Sequence, residues 1–184
     1  MNNDYIFETE HLAVRKFVPE DAVHLYENHK DDEVKKWIPG ECYEDLNEAR
    51  ECAYFFAECV QNNRLPYVLA VVLKETGELV GDTGINEVEG KPDEVEIGFV
   101  IGSRYRGRGY ATEILKHMTD HAASHFGFKV IYGRVMKGNE ASVRVLEKNG
   151  YSFESVEYGA EDDPYGNGMM VYKTENIPAH NDER

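Results

Sequence analysis

The segment Arg104-Tyr-Arg-Gly-Arg-Gly-Tyr-Ala111 limits what this 184-residue chain can fold into more than any other stretch. A strand-like run from Glu94 to Ile101 leads into it. A helix-like run follows, in which Ala111, Ile114, Leu115, Met118 and Ala122 recur at helical spacing. A strand, a glycine turn and a helix N-terminus therefore come in immediate succession. Gly107 and Gly109 have no Cβ, so the backbone there can bend sharply and bring several N–H groups close to a ligand. The first N–H groups of the helix have no internal partner, and the helix dipole adds partial positive charge at the same end. Phosphate is the natural anion for such a place. Arg104, Arg106 and Arg108 add three cations to a chain whose formal net charge is −15. A plain tight turn with solvated arginines fits the same eight residues, and the octet alone leaves both readings open.

Two nucleotide alternatives are narrowed by the residues that follow. A P-loop needs Lys and then Ser or Thr after its last glycine, whereas Gly109 is followed by Tyr110 and Ala111. A dinucleotide fingerprint needs a third small residue where Thr112 stands, and an acid near the end of the next strand. The next strand-like run, Lys129 to Met136, ends in Lys137.

The rest of the chain reads as one domain over residues 1–175, with a polar, frayed tail at 176–184. Leu12 and Val14 alternate in a first strand, His11 to Phe17, and Pro19-Glu20-Asp21 opens a helix with Ala22, Leu25 and Tyr26 on its apolar stripe. A short helix over Asp31 to Ile38 stops at Pro39-Gly40. The longest N-terminal helix runs from Tyr43 or Asp45 to Asn62; Tyr54 and Phe55 widen its apolar face and either cover the sheet or wall a cleft. Strands at Tyr67–Leu73 and Leu79–Asn86 flank a hairpin turn at 74–78. Gly90-Lys91-Pro92-Asp93 reads as a turn before the strand at Glu94. The crossover helix after the octet is long enough for the strands at Glu94 and Lys129 to pair in parallel. A helix at Asn139–Asn149 and strands at Tyr151–Tyr158 and Met169–Thr174 complete the order.

The net charge argues against nucleic acid as partner, because phosphate-backbone binding needs clustered Lys and Arg; it suits a cationic substrate such as an amine, or serves solubility alone. No apolar run is long enough to span a membrane and no secretory signal opens the chain. Cys42, Cys52 and Cys59 are odd in number and lack metal-ligand spacing. Reduced thiols in the cytoplasm are the expectation, with no metal and no membrane partner.

The octet resembles the Arg/Gln-x-x-Gly-x-Gly/Ala motif with which the GCN5-related N-acetyltransferases (GNAT) grip the pyrophosphate of acetyl-coenzyme A. Arg104, Gly107 and Gly109 fill its defined positions. Asn139-Glu-Ala-Ser142, followed at the helix end by Gly150-Tyr151, is similar to the second motif of that superfamily, in particular of its RimJ/RimL-like branch. The resemblance extends from about residue 8 to 175. It implies a three-layer α/β (α+β) fold with a mixed, strongly twisted sheet of six to seven strands between helices, acting as a monomer or homodimer. It also implies acetyl transfer from acetyl-coenzyme A, the cosubstrate, to a primary amine in a ternary complex. The acceptor ranks as a protein or peptide N-terminus first and a small amine such as an antibiotic or polyamine second. A coenzyme A-binding module without turnover stays as an alternative.

The same resemblance distributes roles. Arg104, Arg106, Gly107, Arg108, Gly109, Tyr110 and Ala111 are expected to hold the pyrophosphate, and Asn139 and Ser142 to contact the cofactor. A bulge near Phe99, Val100 and Ile101 is expected to offer backbone groups to the pantetheine arm and the thioester carbonyl. The segment around Trp37 and the long N-terminal helix are expected to shape the acceptor pocket. An α-amine is easier to deprotonate than a lysine amine by roughly 3 kcal/mol at neutral pH, so an N-terminal acceptor needs only a weak base. Glu96 is the first candidate, since Gly98 follows it on the same strand face and leaves open space beside the carboxylate. A solvated surface glutamate is the alternative. Several family members place a tyrosine, as general acid, where this chain has Leu146; Ser142 remains as a hydrogen-bond donor to the thiolate. The acidic run Glu161-Asp162-Asp163 reads as a solvated loop or as a lure for cationic substrates, with Tyr165 beside the acceptor pocket.

Overall fold

A computed structural model describes residues 5–160 and 165–175. Eight strands form one sheet in the order β1-β2-β3-β4-β5-β6-β8-β7: β1 Tyr5–Glu8, β2 Leu12–Arg15, β3 Tyr67–Leu73, β4 Leu79–Val88, β5 Lys91–Ile101, β6 Val130–Met136, β7 Ser152–Glu157 and β8 Met169–Glu175. Five helices flank it: α1 Ala22–Lys30, α2 Asp32–Trp37, α3 Leu46–Gln61, α4 Tyr110–Phe126 and α5 Glu140–Lys148. Only β5 and β6 run parallel, and α4 is the crossover between them; every other neighbouring pair is antiparallel.

The sheet is buried on both faces, and period-two alternation sorts its side chains. Leu12, Val14, Leu69, Val71, Val95 and Ile97 pack with Ile114, Leu115 and Met118 of α4. Ala13, Ala70 and Val72 point the other way, to Leu25 of α1 and Ala53 of α3. Such central strands read as continuous apolar runs, as Tyr67–Leu73 does.

Three expectations need correction. The sheet has eight strands rather than six to seven, because β1 pairs with β2. Lys91, Pro92 and Asp93 belong to β5, and the turn is only Glu89-Gly90, with Val88 opposite Lys91. Pro19–Asp21 forms a single 3-10 turn before α1, where the Asp21 carboxylate is taken by the Arg15 guanidinium at 2.6 and 2.9 Å. The hairpin turn at 74–78 stands, with Gly77 at φ +73°. The tail 176–184 and the run Glu161-Asp162-Asp163 lie outside the described residues.

Candidate active site

The site begins where two parallel strands separate. β5 and β6 share three rungs, Glu94↔Val130, Val95↔Ile131 and Glu96↔Tyr132, and then stop pairing. β5 continues to Ile101 along β4, while β6 continues to Met136 along β8. A wedge opens between them, holding a cleft of about 540 Å³ with Ile97 to Val100 on one wall and Gly133 to Met136 on the other. Beyond Glu96 the free edge of β5 has no strand partner among the described residues, so alternate backbone groups point into the wedge.

The bulge expected near Phe99 is absent from the β4–β5 ladder. Thr83↔Phe99, Asp82↔Val100 and Gly81↔Ile101 pair in register, and the irregular step falls at Glu87/Val88. Divergence from β6, rather than a bulge, is what uncovers the backbone of Phe99, Val100 and Ile101. Gly98 borders the cleft, and a Cβ built on it meets nothing within 4 Å, which is the open space its sequence position suggested.

A second cleft of about 470 Å³ adjoins the first and runs to the glycine turn. Gly107 and Gly109 are left-handed, with φ +75° and +86°, and Gly109 is the N-cap of α4. No side chain caps that end, so the N–H groups of Tyr110, Ala111 and Thr112 are directed at whatever lies beyond it. Ile101, Arg106, Gly107, Gly109, Tyr110 and Ala111 all border this cleft. Arg106 is already engaged: its Nε donates to the Ile101 carbonyl at 3.0 Å, and its Nη2 to Asp31 at 3.1 Å. Arg104 and Arg108 are exposed and border neither cleft; Arg108 donates to the Arg104 carbonyl at 3.4 Å. Two cations that sequence reasoning missed line the cleft instead, Arg144 and Lys148 on α5. Their i,i+4 spacing after Asn139-x-x-Ser142, in an acidic chain, was the available signal.

Phe99, Val100, Asn139 and Ser142 border both clefts, which makes one continuous passage. Asn139 caps α5, accepting from the Ser142 N–H at 3.2 Å. Leu146 is buried against Gly133, whose Cβ, if present, would lie 2.4 Å from Leu146 Cδ2. Leu146 is core here and offers no proton.

The far end of the passage is carboxylate-lined. Glu96 accepts from Arg134 Nη1 at 2.6 Å, and Glu157 accepts from Arg134 Nε at 3.2 Å. Burial lifts the pKa of Glu96, and Arg134 offsets only part of that rise. Glu41, which sequence reasoning did not single out, also lines this end, with Trp37, Tyr158 and Tyr165. The Tyr165 hydroxyl accepts from the Gly40 N–H at 3.1 Å, joining the loop before β8 to the turn after α2. Trp37 and Tyr165 therefore both border this cleft. Tyr54 and Phe55 do not: both are exposed on α3, away from either cleft. Cys42, Cys52 and Cys59 are free thiols. No helix among the described residues is long and apolar enough to cross a membrane.

Comparison with known proteins adds an independent line. The profile of the Acetyltransferase (GNAT) domain matches residues 11–152. A Bacillus licheniformis protein described as the uncharacterized N-acetyltransferase p20 is 29% identical over 149 residues, covering 79% of this chain and 80% of its own length. Among solved structures, the ribosomal L7/L12 alpha-N-protein acetyltransferase RimL, in complex with coenzyme A, superposes with a TM-score of 0.77 at 16% identity, over 94% of this chain and 98% of its own. The microcin C7 self-immunity acetyltransferase MccE, in complex with acetyl-CoA and AMP, superposes with a TM-score of 0.72 at 15% identity, over 90% and 93%. At those identities the two structures establish a shared fold.

Proposed function

The chain belongs to the GNAT acetyltransferase family and is an N-acetyltransferase, and from that premise we propose that it acetylates a primary amine, with a protein or peptide N-terminal α-amine as the leading acceptor. The observation that carries this reading is the single passage from the uncapped end of α4, through the β5–β6 wedge, to a carboxylate-lined chamber. Each segment suits one part of a ternary complex. The left-handed glycines and free N–H groups of Tyr110 and Ala111 fit a pyrophosphate, and Arg144 and Lys148 supply charge that Arg106 does not. The free edge of β5 at Phe99, Val100 and Ile101 fits an extended amide-bearing arm and offers an N–H to a thioester carbonyl. When bound, acetyl-coenzyme A supplies the activated acetyl group.

The acceptor's nitrogen enters from the chamber and must arrive neutral. A carboxylate of that chamber takes its proton; Glu96, marked by its strand position, and Glu41 both line it. Ser142 and Asn139 border both clefts, and in this reading they contact the sulfur end of the cofactor. RimL is a ribosomal L7/L12 alpha-N-protein acetyltransferase and MccE a microcin C7 self-immunity acetyltransferase, so one fold serves acetyltransferases of different purpose. A small amine is therefore the second reading.

Thermal melting with acetyl-coenzyme A, using ATP and NAD as controls, followed by thiol release against N-terminal peptides and small amines, tests the proposal. Ligand at ~100 times its dissociation constant adds roughly 2.7 kcal/mol. A shift specific to acetyl-coenzyme A with peptide-dependent thiol release is expected. Release only with small amines would move the acceptor to the second class, and no shift at all would overturn the reading of the passage.

A further inference from the structure

Among the described residues, the chamber is lined by three carboxylates, Glu41, Glu96 and Glu157, and one guanidinium, Arg134. Arg134 is divided between Glu96 and Glu157. Among the described residues, no side chain forms a hydrogen bond or ion pair with the Glu41 carboxylate. Glu41 is reachable by solvent through the mouth of the cleft, yet protein packed around it withdraws enough water to raise its pKa. Asp82 and Glu96 add to that rise and His29 opposes it. Its carboxylate borders the cleft without a hydrogen-bonded or ion-paired cation among the described residues, so a cation entering the cleft can meet it directly.

The turn that carries Glu41 is fixed from beneath. His29 on α1 is buried; its Nδ1–H donates to the Glu41 carbonyl at 2.7 Å, and its Nε2–H donates to Asp82 Oδ2 on β4 at 2.9 Å. A carbonyl can only accept, and with its pKa raised to about 8 the ring carries both protons near neutral pH. That imidazolium pairs directly with Asp82 and attracts the Glu41 carboxylate without hydrogen-bonding it, so Glu41 has no direct ion-pair partner among the described residues. The charged groups facing Glu41 are therefore His29 from α1, Asp82 from β4 and Glu96 from β5, with Lys35 of α2 facing the adjacent Cys42.

We infer that Glu41, positioned by His29, is the carboxylate that binds the acceptor's ammonium and takes its first proton, while Arg134 holds Glu96 out of that role. This inference rests on the acetyl-transfer reading above. The ammonium gives one proton to Glu41, and the freed nitrogen forms its bond to the thioester carbon. The C–S bond breaks with its electron pair on sulfur. The second amine proton reaches the thiolate to give the thiol, and Glu41 returns its proton to solvent. The charge pattern also restricts the acceptor. A carboxylate next to the amine would meet three acids, with the one guanidinium among the described lining residues already shared, so a free amino acid is disfavoured against a peptide N-terminus or a polyamine.

The test compares Glu41→Gln and Glu96→Gln in the full chain, with kcat and KM for an alanine-initiated peptide measured over about pH 6 to 9, and with the acetyl-coenzyme A melting shift as a control for folding and cofactor binding. Glu41→Gln should keep the shift, lose about 100-fold in kcat/KM and lose the acid limb of the profile. Glu96→Gln should keep that limb. If Glu41→Gln does not fold, Glu41→Asp carries the test, since it should keep the limb with a reduced kcat. A wild-type profile for Glu41→Gln, full kcat for Glu41→Asp, or loss of the limb in Glu96→Gln would each overturn the inference. Equal kcat/KM for free alanine and the peptide would overturn the restriction on the acceptor. A wild-type protein that binds acetyl-coenzyme A but releases no thiol with any amine fails the acetyl-transfer reading itself, before any variant is compared.

Discussion

Arg134 of β6 and Glu96 of β5 meet at 2.6 Å, and Arg134 stands two residues past Tyr132, the last residue of β6 that pairs with β5. The pair bridges the two strands where their backbones part, and Arg134 reaches on to Glu157 of β7 at 3.2 Å. One side chain thus links three strands at the narrow end of the wedge. Replacing it with Met keeps an unbranched apolar stem and removes the charge and its donors. Glu96 is about three-quarters buried and would then have nothing to offset its desolvation. Arg134→Met should lower unfolding free energy by about 1–3 kcal/mol in urea at neutral pH. Much of that loss should return in the double variant with Glu96→Gln. An Arg134→Met protein as stable as wild type would mean that the pair does not secure the wedge.

Two glycines on opposite walls of that wedge should respond differently. The Gly98 side faces empty cleft, while a Cβ on Gly133 would collide with Leu146. Gly98→Val should therefore change stability by no more than about 0.5 kcal/mol but fill the passage and lower kcat/KM at least ~10-fold. Gly133→Ala should cost about 1–3 kcal/mol by overpacking the core. Melting and steady-state kinetics on the pair would separate cleft from core. Loss of stability in Gly98→Val without loss of activity would contradict the assignment of its open side.

Gly109 is bound to its place by backbone conformation rather than by space. Its φ is +86°, and no atom lies within 4 Å of a Cβ built there. Gly109→Ala should cost about 1–2 kcal/mol from left-handed strain alone. It should also weaken acetyl-coenzyme A binding, because the methyl projects beside the uncapped N–H groups of α4. Calorimetric titration with acetyl-coenzyme A would check the second effect, and unchanged affinity would remove the turn from the binding site.

How much of this was legible in the sequence depends on the range of the interaction. The strand, glycine turn and helix around Arg104–Ala111 could be read locally, as could the N-cap at Asn139, because each is decided within a turn or two. β1 was missed because Tyr5–Glu8 is only four residues long and takes its identity from pairing with β2. That Arg106 is committed to Ile101 and Asp31 could not be read, since Asp31 lies 75 residues away on another element. Glu41 was invisible for the same reason: nothing local distinguishes a glutamate after Pro39-Gly40, and only the packing of α1 against β4 brings it over the wedge. The end of β5–β6 pairing, which creates the passage, is a property of sheet twist and of the paths taken by β4 and β8.

His29 makes a final prediction about pH. Burial opposes its charge, but the attraction and hydrogen bond of Asp82 more than offset this and raise its pKa to about 8, from 6.5. A raised folded-state value means that the contribution is fully present below about pH 6.5 and is lost as pH rises through about 8. The difference corresponds to about 2 kcal/mol. His121 on α4 behaves oppositely: burial, with His125 nearby, lowers it to about 4, so its contribution is present above pH 6.5 and lost as pH falls toward 4. Wild-type stability should therefore peak near pH 6.5 as far as these two groups decide it. His29→Gln should remove the decline between about pH 6.5 and 8.5 while keeping the acid-side loss, and urea unfolding across that range would show it. A variant that still declines on the alkaline side as steeply as wild type would mean that the His29–Asp82 pair is not the titrating element.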